Sequence, residues 1–115
     1  ISLLKKNAPV KEEDQTVNNN EPEVKIEDLI DLDGEIMGKD LKKVREFRRI
    51  TLQHIADHTR ISYRYLELIE EDNYKNLPEE VYIKGYLQQY AKMLRIDPLK
   101  TVSGYIKSYS KYRKK

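Results

Sequence analysis

The stretch Thr51 to Glu70, Thr-Leu-Gln-His-Ile-Ala-Asp-His-Thr-Arg-Ile-Ser-Tyr-Arg-Tyr-Leu-Glu-Leu-Ile-Glu, decides the fold. Thr51 suits a helix N-cap, and the run Leu52 to His58 then brings Leu52, Ile55 and Ala56 to one face. Ser62 repeats the capping signal, and Tyr63 to Glu71 turns Tyr65, Leu66 and Ile69 inward. Only a tight turn fits between the two, with small Ala56 where they touch. The reading is a helix-turn-helix.

Upstream, Leu41, Val44, Arg45 and Arg48 recur at helical spacing from Gly38 to about Arg49, a first helix. Downstream, Asp72-Asn73 ends the reading helix, and a longer helix runs from Pro78 to about Arg95. Stepping about 100° per residue, this fourth helix carries two apolar stripes. Ile83, Leu87, Ala91 and Leu94 form an aliphatic one, and Tyr82, Tyr86, Tyr90 and Met93 an aromatic one beside it, with Lys84, Gln88, Lys92 and Arg95 opposite. One stripe is enough to dock a helix on its own domain, so the second calls for a larger core or an external partner. Gly85 in mid-helix costs about 1 kcal/mol relative to alanine, which predicts that something packs against the backbone there. Asp97-Pro98 starts a fifth helix, Leu99 to about Ser110. The expectation is an all-α, compact five-helix domain over 36–110. A disordered acidic arm, 1–35, precedes it and a basic tail, 111–115, follows. Ile26, Leu29, Ile30 and Leu32 in the arm suit a helical turn or a short docking segment.

Charge is unevenly spread. Residues 1–40 carry 5 basic and 11 acidic side chains and residues 41–115 carry 17 and 9, so the folded part is basic and suits an anionic partner. With 37% charged residues and a mean hydropathy of −0.83, the apolar material suffices for one small core. No run approaches the roughly 20 apolar residues of a membrane span, and Ile1-Ser-Leu-Leu is too short for a signal-peptide core. The absence of cysteine fits a reducing compartment, and the chain reads as cytoplasmic. Its first residue is Ile rather than Met, which reads as a piece of a longer protein.

Two surfaces compete as functional sites. In a DNA reader the start of the second helix enters the major groove, which would assign Ser62, Tyr63 and Arg64 to bases and Lys42 and Lys43 to phosphates. Glu67, Glu70, Glu71 and Asp72 place four carboxylates along or just beyond that helix, which phosphates repel. In a protein-docking module the contacts would be Tyr82, Tyr86, Lys84 and Tyr90, the alternative for the tyrosines being burial in the core. His54 and His58 stand four apart, a metal-sharing spacing, but no third ligand follows, and surface histidines are the simpler account. Neither a glycine-rich phosphate loop nor an activated nucleophile is present, so no catalysis, cofactor or metal is expected. Lys100 to Lys115, with five lysines, one arginine and no acid, suits a solvated helix end or a tail touching an anionic surface.

Gly38, Leu41, Arg45-Glu46, Thr51-Leu52, Ile55-Ala56, Thr59, Ile61-Ser62, Tyr65-Leu66, Ile69-Glu70, Leu77-Pro78 and the run Val81 to Ala91 together resemble the cytoplasmic helix-turn-helix domain of the RodZ family of bacterial cell-shape proteins. That family is a relative of the phage-repressor fold. The resemblance implies a non-catalytic adaptor at the inner face of the plasma membrane. It further implies that the fourth helix would contact the actin-like filament protein MreB, with Tyr82 and Tyr86 at the aromatic contact positions. The resemblance also implies a basic juxtamembrane stretch, to whose start Lys107 to Lys115 would correspond, and a single membrane span following the domain. The long acidic lead is a departure from the family pattern.

Overall fold

The computed structural model describes residues 25–113. Among them are six α-helices and no strand: α1 (Ile26–Leu29), α2 (Gly38–Phe47), α3 (Leu52–Thr59), α4 (Tyr63–Glu70), α5 (Glu80–Leu94) and α6 (Pro98–Arg113), with a 3-10 turn, Tyr74–Asn76, between α4 and α5. The expected arm residues 1–24 and the terminal Lys114 and Lys115 lie outside the described residues.

The capping signals account for most of the helix starts. The Thr51 hydroxyl accepts from the His54 N–H at 3.1 Å, and an Asp97 carboxylate oxygen accepts from the Lys100 N–H at 3.1 Å. At α2 the Asp40 carboxylate reaches back to the Met37 N–H, 2.9 Å. Ser62 makes no side-chain cap; α4 relies there on backbone bonds alone. Pro78 sits ahead of α5, whose first turn closes on the Glu79 carbonyl. The fifth helix of the sequence reading, α6, continues through Arg113 because Tyr109 and Tyr112 pack against Tyr74, with ring centroids 5.8 and 5.2 Å apart.

The core joins every helix. Leu41, Val44, Ile55, Leu66, Ile69, Ile83, Leu87, Tyr90, Leu94 and Tyr105 are fully enclosed. Ile30 and Ile36, from the segment before α2, close one side of it. The domain therefore reaches further toward the N-terminus than composition suggested: residues 30–36 form a strap over α6. The Ile36 N–H donates to the Gly104 carbonyl at 3.0 Å, and the Ser108 hydroxyl donates to the Ile36 carbonyl at 3.3 Å. Acidic residues of the strap meet α6 lysines, Asp33 with Lys100 at 3.0 Å and Glu35 with Lys111. Two buried isoleucines outweigh the acidic composition, since each buried side chain contributes about 1.5–3 kcal/mol.

Two glycines have opposite surroundings. At Gly38 a Cβ would stand 2.2 Å from the Ile69 carbonyl oxygen, so α2 and α4 meet backbone to backbone. At Gly85 a Cβ would meet nothing within 4 Å, so this chain itself supplies no neighbour for the close packing expected there. Gly38→Ala should therefore destabilise by at least about 2 kcal/mol. By contrast, Gly85→Ala should stabilise by about 1 kcal/mol, a rise in Tm of about 4–8 °C. Thermal unfolding by circular dichroism checks both, and a destabilised Gly85→Ala chain would contradict the open surroundings of that residue.

Candidate functional site

The aromatic stripe of α5 does not stay on one face. Residues four apart on a helix advance by about 40°, so Tyr90, Tyr86 and Tyr82 rotate successively away from the aliphatic stripe. Tyr90 is 0% exposed, Tyr86 is half-buried and Tyr82 is 54% exposed. Tyr90, expected among the contact residues, is thus a core residue: its hydroxyl donates to the Glu70 carboxylate. Burial, and then the Glu70 charge, raise its pKa above the ordinary tyrosine value of 10.0. Tyr86 stacks on Tyr65 of α4, centroids 5.8 Å apart and planes inclined by 23°. Tyr82 stands free of such packing, beside Val81, which is 70% exposed. Gly85 lies between the two on the helix surface. The result is an open patch of Val81, Gly85 and Tyr82, edged by the half-covered ring of Tyr86.

Lys84 is not part of that patch. It points about 160° around α5 from Tyr82, pairs with Glu80 at 3.3 Å, and faces a groove along α6. The sequence grouped it with the tyrosines by proximity along the chain, and the helical angle separates them.

The start of α4 presents Ser62, Tyr63 and Arg64 to solvent, and Lys42 and Lys43 are exposed on α2. Arg64 is already engaged, 3.2 Å from Glu67 and 4.0 Å from Glu71. Of the four carboxylates expected along this face, two turn inward. Glu70 forms a two-pronged pair with Arg45, at 2.7 Å to Nε and 3.2 Å to Nη2, and its side chain is 6% exposed. Asp72, in a left-handed conformation with φ 55°, accepts from the Gly38 N–H at 2.8 Å and from the Tyr74 hydroxyl at 3.1 Å. The outward face of α4 thus holds one arginine held by two glutamates, not a bare acidic row.

The His54 and His58 rings lie 4.2 Å apart, with His58 Nδ1 against the His54 carbonyl at 3.2 Å. No group of three His, Asp or Glu side chains placed to hold a metal ion occurs among the described residues. No described helix is long and apolar enough to cross a membrane.

Burial raises the Asp72 pKa above its ordinary 3.8, against the opposing bonds from Gly38 and Tyr74. A carboxyl whose pKa is raised on folding binds its proton more tightly in the native state, so its contribution is full below pH 3.8 and is lost as pH rises through the folded pKa. Asp72→Asn keeps an accepting oxygen and removes the charge. It should raise Tm at pH 7 and give a shrinking gain toward pH 3, read by thermal unfolding across that range; a lower Tm at pH 7 would contradict the assignment.

No curated protein and no solved structure matches the chain. The sequence does match the helix-turn-helix domain family over residues 40–102, which spans α2 to the first turn of α6 and so includes both the helix-turn-helix and all of α5. With its architecture and this match, the chain belongs to the helix-turn-helix domain family found in RodZ-like proteins.

Proposed function

We infer that the domain is a non-catalytic protein-docking module, an adaptor that binds a filament of the actin-like MreB type in the cytoplasm, at the inner face of the plasma membrane. The observation that carries this reading is the α5 patch. An exposed mid-helix glycine, with nothing against it in its own chain, sits between Val81 and Tyr82 at a cost of about 1 kcal/mol. A bare backbone flanked by apolar side chains lets another macromolecule approach closely, and tyrosine supplies a large contact area with little entropy to lose. Tyr82 is the main contact in this reading, Tyr86 a secondary one whose ring also supports α4, and Lys84 and Tyr90 take no part.

DNA binding through α4 is the second reading. Exposed Ser62, Tyr63 and Arg64 at a helix N-terminus, with exposed Lys42 of α2 lining the same surface depression as Tyr63 and exposed Lys43 next to it on α2, favour it. The two glutamates holding Arg64 weigh against it, because Glu67 lies on the helix that would enter the groove and Glu71 caps its C-terminal end.

Co-sedimentation with purified, polymerised actin-like bacterial filaments tests the first reading. The chain should pellet with filaments. Tyr82→Ala should weaken binding by at least about 30-fold while Tm stays nearly constant, the behaviour of an interface hot spot. Gly85→Ala should weaken binding while raising Tm. Undiminished binding of Tyr82→Ala would remove the α5 patch as the site. Failure of the wild-type chain to pellet, together with salt-sensitive binding of duplex DNA that Arg64→Ala abolishes, would move the assignment to α4.

A further inference from the structure

Helix α3 carries two exposed histidines one turn apart, His54 and His58, whose ring centroids stand 4.2 Å apart with planes inclined by 44°. Residues four apart share a helix face, and the structure adds orientation to that spacing. His58 Nδ1 lies 3.2 Å from the His54 carbonyl oxygen. A carbonyl only accepts, so this contact is a hydrogen bond donated by Nδ1, and the neutral ring keeps its lone pair on Nε2. A backbone carbonyl on one ring nitrogen is the usual outer partner of an imidazole that ligates a metal through the other. The backbone beneath the pair is fixed at both ends of α3. The Thr51 hydroxyl accepts from the His54 N–H at 3.1 Å, and Arg60, left-handed with φ 65°, closes the helix on the Ala56 carbonyl.

We propose that His54 and His58 form a two-histidine chelate for a divalent transition metal of the zinc and nickel class, on a helix separate from the α5 tyrosines. Two imidazoles bound to one ion at about 2.0–2.1 Å, with about 90–110° between the bonds, have ring centroids about 4.5–5 Å apart. The 4.2 Å separation falls short of that by under about 1 Å, within reach of a small side-chain rotation. The donor set selects the metal. Two neutral nitrogens suit zinc and nickel, whereas magnesium and calcium take oxygen ligands. Asp57, the one acid of α3, accepts from the Gln53 amide at 2.8 Å and is engaged there. No third His, Asp or Glu joins the pair among the described residues, so the site is an open one, with water in its remaining coordination positions. Binding then joins two turns of α3 through the ion, in addition to the caps that hold its ends.

The test is calorimetric titration of the full chain, carrying no affinity tag, with Ni²⁺, Zn²⁺ and, as a control, Mg²⁺. Ni²⁺ and Zn²⁺ should each bind at one ion per chain and Mg²⁺ should not bind. His54→Gln and His58→Gln, both at exposed positions, should each weaken Ni²⁺ binding by at least about tenfold, because a single imidazole loses the gain of chelation. Circular dichroism of the metal-free variants should match the wild-type chain, which separates lost ligation from lost fold. In the wild-type chain Zn²⁺ should shift the ring-proton resonances of both histidines. Absence of Ni²⁺ and Zn²⁺ binding up to about 1 mM would overturn the proposal. So would binding that survives either single substitution undiminished, which would place the ion elsewhere on the chain.

Discussion

The Arg45–Glu70–Tyr90 cluster is the constraint on which the arrangement of helices rests. Arg45 of α2 holds both carboxylate oxygens of Glu70 on α4, Tyr90 of α5 donates to the same carboxylate, and a third guanidinium N–H ties the Ile50 carbonyl in the α2–α3 turn at 2.9 Å. Four segments are thus joined through one buried ion pair. Burial opposes ionisation of the arginine, but hydrogen bonding and the charge of Glu70 more than compensate and raise its pKa above the ordinary arginine value. A buried ion pair is weak as a source of stability when compared with apolar packing. It is strong as a geometric restraint, because loss of one partner strands a charge at a cost of about 3–5 kcal/mol.

That restraint sets the rotation of α5, and the rotation sets what the helix can offer outward. With Tyr90 anchored to Glu70, the 40° advance between residues four apart turns Tyr86 to the margin and Tyr82 into solvent. The same anchoring turns Lys84 toward α6, where it pairs with Glu80 beside an open depression lined by Leu99, Val102 and Ile106. One buried hydroxyl therefore divides α5 into an inner face and two flanks of different chemistry. The strap adds to this division: Ile30 and Ile36 fasten an acidic segment across a basic helix, so Asp33 and Glu35 reduce the positive charge of α6 where they cross it.

The features legible in the sequence were the local ones. The Thr51 cap, the Asp97-Pro98 start and the aliphatic stripe of α5 depend on residues within one or two turns, and the structure repeats them. The inward turn of Glu70 depends on Arg45, 25 residues away, and no local rule pairs the two. The fate of Tyr90 was within reach: measured around the helix it lies closer to the aliphatic stripe than Tyr86 or Tyr82 does. The strap was legible in part and passed over: Ile30, Leu32, Gly34 and Ile36 alternate with Asp31, Asp33 and Glu35, a period-2 pattern of a half-buried extended segment, but the run of acids reads as solvated. Gly85 was read as a place where something packs against the backbone, and a sequence does not say whether that neighbour belongs to the same chain. Its surroundings are open, and the cost is left to be explained by something outside it.

The most direct measurement is a double-mutant cycle on the cluster, by urea unfolding of the wild-type chain, Arg45→Met, Glu70→Met and the double variant. The account predicts that each single change costs about 3–5 kcal/mol and that the double change costs at least about 1 kcal/mol less than their sum, because it leaves no unpaired buried charge. Single changes below about 1 kcal/mol that add without coupling would show that the helices hold their places without this cluster.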